Sequence, residues 1–133
     1  MMAFLIVCVE SASAVLIRNT RRKSLPRGPA PMREVDLATF ESARADGAPV
    51  IDVRERDEYA QVRVPGVTNI PLSEFVARID EIPATGTVYV ICAVGGRSLQ
   101  AADYLAGRGI DAVSVAGGTD GWARSGRPTE SGA

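Results

Sequence analysis

The chain is predicted to be an α/β domain with a mainly parallel central sheet flanked by helices. Three observations lead there. Short β-branched runs alternate with stretches of helical spacing from residue 32 onward. Gly or Pro punctuates most junctions between them. The run Thr87-Val88-Tyr89-Val90-Ile91 is unbroken and apolar on both faces, as in strands of a sheet covered on both sides.

The elements follow in order. Asp36 caps a short helix carrying Leu37, Phe40 and Ala43-Arg44, stopped by Gly47. Pro49-Val50-Ile51-Asp52-Val53 is a short buried strand. Asp57-Glu58-Tyr59-Ala60 is a helical turn, Pro65-Gly66 a tight turn, and residues 67–70 a second short strand. Ser73 caps a helix holding Phe75, Val76 and Ile79, closed by Pro83 and Gly86. After the strand at 87–91, residues 98–108 form a helix with Leu99, Ala102 and Leu105 on one face, and Gly109 ends it. Ala112-Val113-Ser114-Val115 is a further strand, Gly117-Gly118 a turn, and residues 119–124 a last helical turn carrying Trp122 as a packing residue.

Residues 1–31 stand apart. They hold Arg18, Arg21, Arg22, Lys23 and Arg27 against Glu10 alone, a net of +4, whereas residues 32–133 hold 10 basic and 15 acidic residues, a net of −5. A mostly apolar stretch reaches Ile17, the basic run follows, and Pro26, Gly28, Pro29 and Pro31 form a linker. The domain boundary is therefore placed near Met32. A spanning helix needs ~20 apolar residues, and here Glu10, Ser11 and Ser13 interrupt. The extension suits a weak anchor with its basic side in the cytoplasm, a signal cleaved near Ala12-Ser13-Ala14, or a stretch upstream of a true start at Met32. Membrane contact is expected only through residues 1–31, and a cytoplasmic location for the rest.

Composition excludes whole classes of function. A net charge of −1 gives no support to nucleic-acid binding. There is no histidine, so a Ser-His-Asp triad, a Cys-His dyad and a His-ligated metal are excluded. Two cysteines, Cys8 and Cys92, cannot build a four-cysteine zinc site. No metal and no organic cofactor is expected. The chemistry falls to Cys92, carboxylates, arginines, hydroxyls and backbone amides.

Cys92 directly follows the clearest strand, and open α/β sheets bind ligands beyond the carboxyl ends of their strands. The loop Cys92-Ala93-Val94-Gly95-Gly96-Arg97-Ser98 then enters a helix. Adjacent glycines allow positive φ. Such a loop aims backbone N–H groups inward, and the helix N-terminus adds more at the same place. Arg97 supplies a fixed cation. Together they favour a negatively charged sulfur without a histidine, and hold an anionic substrate against it.

At these residues the chain resembles the single-domain rhodanese family, over residues 32–128. Three motifs carry the resemblance. Asp52-Val53-Arg54 followed by Glu58-Tyr59 is similar to the family's D-V-R-x-x-x-E-[YF]. Cys92, Gly95, Arg97 and Ser98 match C-x-x-G-x-R-S. Gly117-Gly118 with Gly121-Trp122 is similar to the closing G-G-x-x-G-W. One stretch departs: where the family has G-H-I-P-G-A, this chain has Val62-Arg63-Val64-Pro65-Gly66-Val67. Arg63 thus stands in place of a histidine, at the expected rim of the site.

The resemblance implies a three-layer rhodanese-like fold and a sulfurtransferase. Cys92 would take a sulfane sulfur from a small anionic donor such as thiosulfate and pass it, as a persulfide, to cyanide, a thiol or a sulfur-carrier protein. Ala93, Val94, Gly95, Gly96, Arg97 and Ser98 would bind the substrate, with Ser98 also read as a helix cap. Asp52 and Arg54 would support the floor of the site, paired with each other or with Glu58. Ala93 and Val94 put apolar side chains where some thiosulfate-using relatives have basic or polar groups, so Arg97 is the cation of the loop. Related phosphatases and arsenate reductases use a C-x5-R loop. Here four residues separate Cys92 from Arg97, a tighter cradle that suits a sulfur atom. The alternative is a rhodanese-like binding or relay module serving one protein partner, without general thiosulfate activity.

Overall fold

Five strands form one sheet: β1 (Glu34–Val35), β2 (Val50–Asp52), β3 (Thr68–Asn69), β4 (Thr87–Ile91) and β5 (Asp111–Val115). They lie in the order β1-β5-β4-β2-β3, and every pairing is parallel. The computed structural model describes residues 33–132. The expectations for residues 1–31, Cys8 included, lie outside the described residues. Among the described residues no helix is long and apolar enough to cross a membrane.

Parallel neighbours need crossovers, and these carry the helices α1 (Leu37–Ala45), α2 (Arg56–Gln61) and α3 (Gly96–Gly107), while α4 (Gly118–Arg124) follows the last strand. Side chains alternate along β4, and this alternation sorts the core into two clusters. Val88 and Val90 join Ile51, Val53, Ile70, Phe75, Ala101, Ala102 and Leu105 beneath α3. Ile91 joins Phe40, Val50, Val64, Val67, Val115 and Trp122 beneath α1 and α4. The result is the three-layer α/β arrangement, with β4 at its centre. Trp122 is fully buried and meets Phe40 edge to face at 5.5 Å, while its indole N–H donates to the Pro128 carbonyl at 2.6 Å.

The predicted helix ends are real. The Asp36 carboxylate accepts the Thr39 N–H at 2.8 Å and caps α1. At the end of α3, Gly109 takes φ +83°, its N–H donates to Ala106, and the Ile110 N–H donates to Leu105. This pair of hydrogen bonds closes a helix with a left-handed residue.

Two expectations need correction, and one strand was not expected at all. The helix predicted after Ser73 is instead a pair of 3₁₀ turns, Leu72–Glu74 and Ile79–Glu81. Leu72 and Phe75, then Ile79 and Ile82, are spaced by three, and side chains three apart eclipse in a 3₁₀ turn. All four reach the core side, whereas Val76 is left 62% exposed. Ser73 lies inside the first turn, and its hydroxyl donates to the Glu55 carboxylate. The buried face of α3 is Ser98, Ala101, Ala102 and Leu105, rotated from the Leu99 face, because Ser98 has a hydroxyl partner under the sheet. Finally, β1 had no sequence signal. Two residues are too few to show an alternation, and they are fixed by β5 through Ser114 N–H to Arg33 and Ala116 N–H to Val35.

Candidate active site

Cys92 continues the alternation of Val88 and Val90, so its side chain enters the layer under α3. The residue is 1% exposed. Gly95 sits at φ +128° as the N-cap of α3, a conformation that needs glycine. That bend brings the Gly95 N–H to 3.0 Å from the sulfur. The thiol donates to the Ser98 hydroxyl at 3.4 Å. Ser98 donates to the Gly95 carbonyl at 3.1 Å and shares a 2.7 Å hydrogen bond with Ser114 of β5. Ser98 is therefore no cap; it is a fully buried hydroxyl in the first turn of α3. A hydroxyl can rotate, so once the sulfur loses its proton Ser98 can donate to it while Ser114 donates to Ser98.

The back of the loop is held by α4. The Thr119 N–H donates to the Cys92 carbonyl at 2.8 Å, and the Asp120 N–H to the Ala93 carbonyl at 3.0 Å. This approach requires Gly118. Its φ is +58°, and a Cβ there would lie 2.4 Å from the Ala93 oxygen and 2.5 Å from the Cys92 oxygen. The closing glycine motif thus clamps the cysteine loop from behind.

Two arginine–carboxylate pairs flank this loop. Asp52 lies in register with Ile91 across β2 and β4. Its carboxylate takes the Arg54 guanidinium through Nη2 at 2.8 Å and Nε at 3.0 Å, and both side chains are almost fully buried. Arg54 also donates to the carbonyls of Glu58 and Val62. Asn69 donates to the Asp52 and Arg54 carbonyls, which ties β3 to the same knot. The second pair is Arg97 with Glu58, held by two bonds of 2.8 and 2.9 Å, both side chains about a third exposed. Hydrogen bonding to Arg97, then to the Glu55 N–H, holds the Glu58 carboxyl down at about 2 against a burial effect of opposite sign. The same contact raises Arg97.

The remaining candidates separate by exposure. Gly95 is buried, Ala93 is half-buried, Gly96 is exposed, and Val94 at the loop tip is 65% exposed. Arg63, in the place of the family histidine, is used structurally. It stacks over Tyr59 at 4.5 Å, pairs with Glu130, donates to the Gly132 carbonyl, and exchanges backbone hydrogen bonds with Glu130.

A family profile for the rhodanese-like domain matches residues 36–125. The chain belongs to the rhodanese-like domain family. It is 34% identical over 100 residues to a sulfurtransferase of Allochromatium vinosum, covering 73% of this chain and 94% of that protein. It is 35% identical over 92 residues to the thiosulfate sulfurtransferase GlpE of Actinobacillus pleuropneumoniae serotype 3, covering 68% and 85%. A rhodanese-related protein of Thermoplasma volcanium superposes with a TM-score of 0.69 at 31% identity, over 74% of this chain and 97% of that one. Sulfur transfer in general is the chemistry this family membership supports.

Within this rhodanese-like domain, sequence reasoning missed Ser114 and the clamp on the loop carbonyls. Ser114 had a signal: one hydroxyl inside the apolar run of β5, where a buried polar group needs a partner. The clamp had none, since its donors are backbone N–H groups. Glu58 was noted, but its partner, 39 residues away, is visible only in the fold.

Proposed function

We propose that this rhodanese-like chain is a sulfurtransferase that carries a sulfane sulfur on Cys92. It takes the sulfur from a donor such as thiosulfate and passes it to cyanide, a thiol or a sulfur-carrier protein. The observation that carries this proposal is the sulfur at the base of the loop, with the Gly95 N–H 3.0 Å away and the N-terminus of α3 behind it. The Cys92 thiolate attacks the outer sulfur of the donor. The sulfur–sulfur bond of the donor breaks, and sulfite leaves with the electron pair. The persulfide anion is then stabilised by the loop amides. An acceptor thiolate attacks its terminal sulfur and returns Cys92 to the thiolate. Each half-reaction is balanced, so no cofactor enters. Ala93 to Ser98 form the binding cradle, and Asp52 and Arg54 support its floor. A free thiol fits a reducing compartment such as the cytoplasm.

The test is intact-mass measurement of the reduced protein before and after thiosulfate, beside Cys92→Ser. One added sulfur atom is expected on wild type, removable by cyanide, and none on Cys92→Ser. Equal loading of the serine variant would overturn the mechanism. A second possibility is a relay module dedicated to one protein partner, favoured by the apolar Val94 exposed at the loop tip. It predicts that thiosulfate leaves Cys92 unmodified while a persulfidated partner protein loads it.

A further inference from the structure

We propose that Glu58 selects the donor by charge: its pair with Arg97 cancels the cation of the loop, so the site favours monoanionic sulfane donors with an apolar body over the thiosulfate dianion. This rests on the sulfurtransferase reading and adds a specificity-determining residue to it.

The geometry points there in three steps. Arg97 is the cation that the loop itself supplies, and both of its terminal nitrogens are already bound to Glu58 oxygens, at 2.8 and 2.9 Å. The adjoining Arg54 is likewise engaged, by the Asp52 carboxylate and by two carbonyls. A donor anion entering the cradle therefore meets balanced charge and relies on backbone amides. The Glu58 carboxylate, held down at about 2, is ionised at neutral pH. The third step is the rim. Val94 is 65% exposed and Ala93 half-buried, so the mouth of the cradle offers apolar contact to a donor that has carbon attached to sulfur. A thiosulfonate, R–SO₂–S⁻, has one negative charge and such a body. Its transfer balances as for thiosulfate: the Cys92 thiolate takes the outer sulfur, the sulfur–sulfur bond breaks, and the sulfinate R–SO₂⁻ leaves with the pair.

Charge gives the proposal its signature. Replacing Glu58 by Gln keeps the side-chain shape and an oxygen for the Glu55 N–H. It removes one negative charge, which acts twice as strongly on a dianion as on a monoanion. The experiment follows loading of Cys92 by intact mass, in wild type and Glu58→Gln, with thiosulfate and with methanethiosulfonate. Glu58→Gln is expected to speed loading by thiosulfate about tenfold and by methanethiosulfonate about threefold. Equal factors for the two donors, or loss of both, would overturn the proposal, because Glu58 would then only position Arg97. Ionic strength tests the same point on the intact wild type, should the variant fold poorly. Loading by thiosulfate is expected to be nearly flat between ~0.02 and ~0.3 M salt. A steep fall would mean that Arg97 acts as a free cation, against the proposal. If neither donor loads wild-type Cys92, the sulfurtransferase reading itself fails. If wild type loads and the charge-dependent difference is absent, only the role of Glu58 fails.

Discussion

Asp52–Arg54 and Glu58–Arg97 are the same chemistry in two settings. Each is a guanidinium held by two bonds to a carboxylate. The first is almost fully buried, bonded further to two backbone carbonyls, and set at the end of β2. The second is about a third exposed and joins α2 to the arginine of the cysteine loop. Burial decides what each is for. A buried pair cannot be opened without stranding a charge, so it fixes the chain. A half-exposed pair contributes little to stability, which leaves it available for the charge-setting role proposed above.

That contrast can be broken at the buried end with the largest effect. Arg54→Ala leaves the Asp52 carboxylate uncompensated at 0% exposure, and is expected to cost about 3–5 kcal/mol, measured by urea unfolding. A loss under about 1 kcal/mol would mean that the knot of Asp52, Arg54 and Asn69 is dispensable. Gly118→Ala comes next. It forces a side chain into φ +58° and against two backbone carbonyls, and strain of this kind costs about 1–3 kcal/mol before the clash is counted. Because the clash falls on the loop and not on β2, sulfur loading should fall more than unfolding stability does. Unchanged loading would show that the clamp does not position Cys92.

The smallest effect lies at the exposed pair. Glu58 is lowered from 4.5 to about 2 in the folded protein. Its contribution is therefore complete above about pH 4.5 and is lost as the pH falls toward 2. Solvent screening keeps that contribution below about 1 kcal/mol. Glu74, held by Arg56 and Arg78, is also lowered to about 2 and titrates in the same window. Glu58→Gln should thus flatten the acid limb of the stability curve only in part. An unaltered limb would show that the pair does not persist in solution.

Much of the fold was legible because it is written in local rules. Asp36 signals a cap, Gly109 a left-handed helix end, and the 87–91 run a doubly covered strand. Cys92 was legible for the same reason: it follows that strand, and glycines open the turn after it. The segment from Leu72 to Ile82 misled because apolar spacings of three and four suit an α-helix until the core shows which residues it accepts.

By itself the sequence determined most of the order of elements, the candidate cysteine, the glycine-rich turn and the family motifs. Each depends on neighbours within a few residues, where backbone sterics and side-chain alternation act. Only the tertiary structure decided the partners. Glu58 meets Arg97 across 39 residues, Ser98 meets Ser114 across 16, and α4 reaches back to the carbonyls behind Cys92. Those contacts exist because parallel strands bring their carboxyl ends to one edge of the sheet, and the chain between them records nothing of which ends will meet.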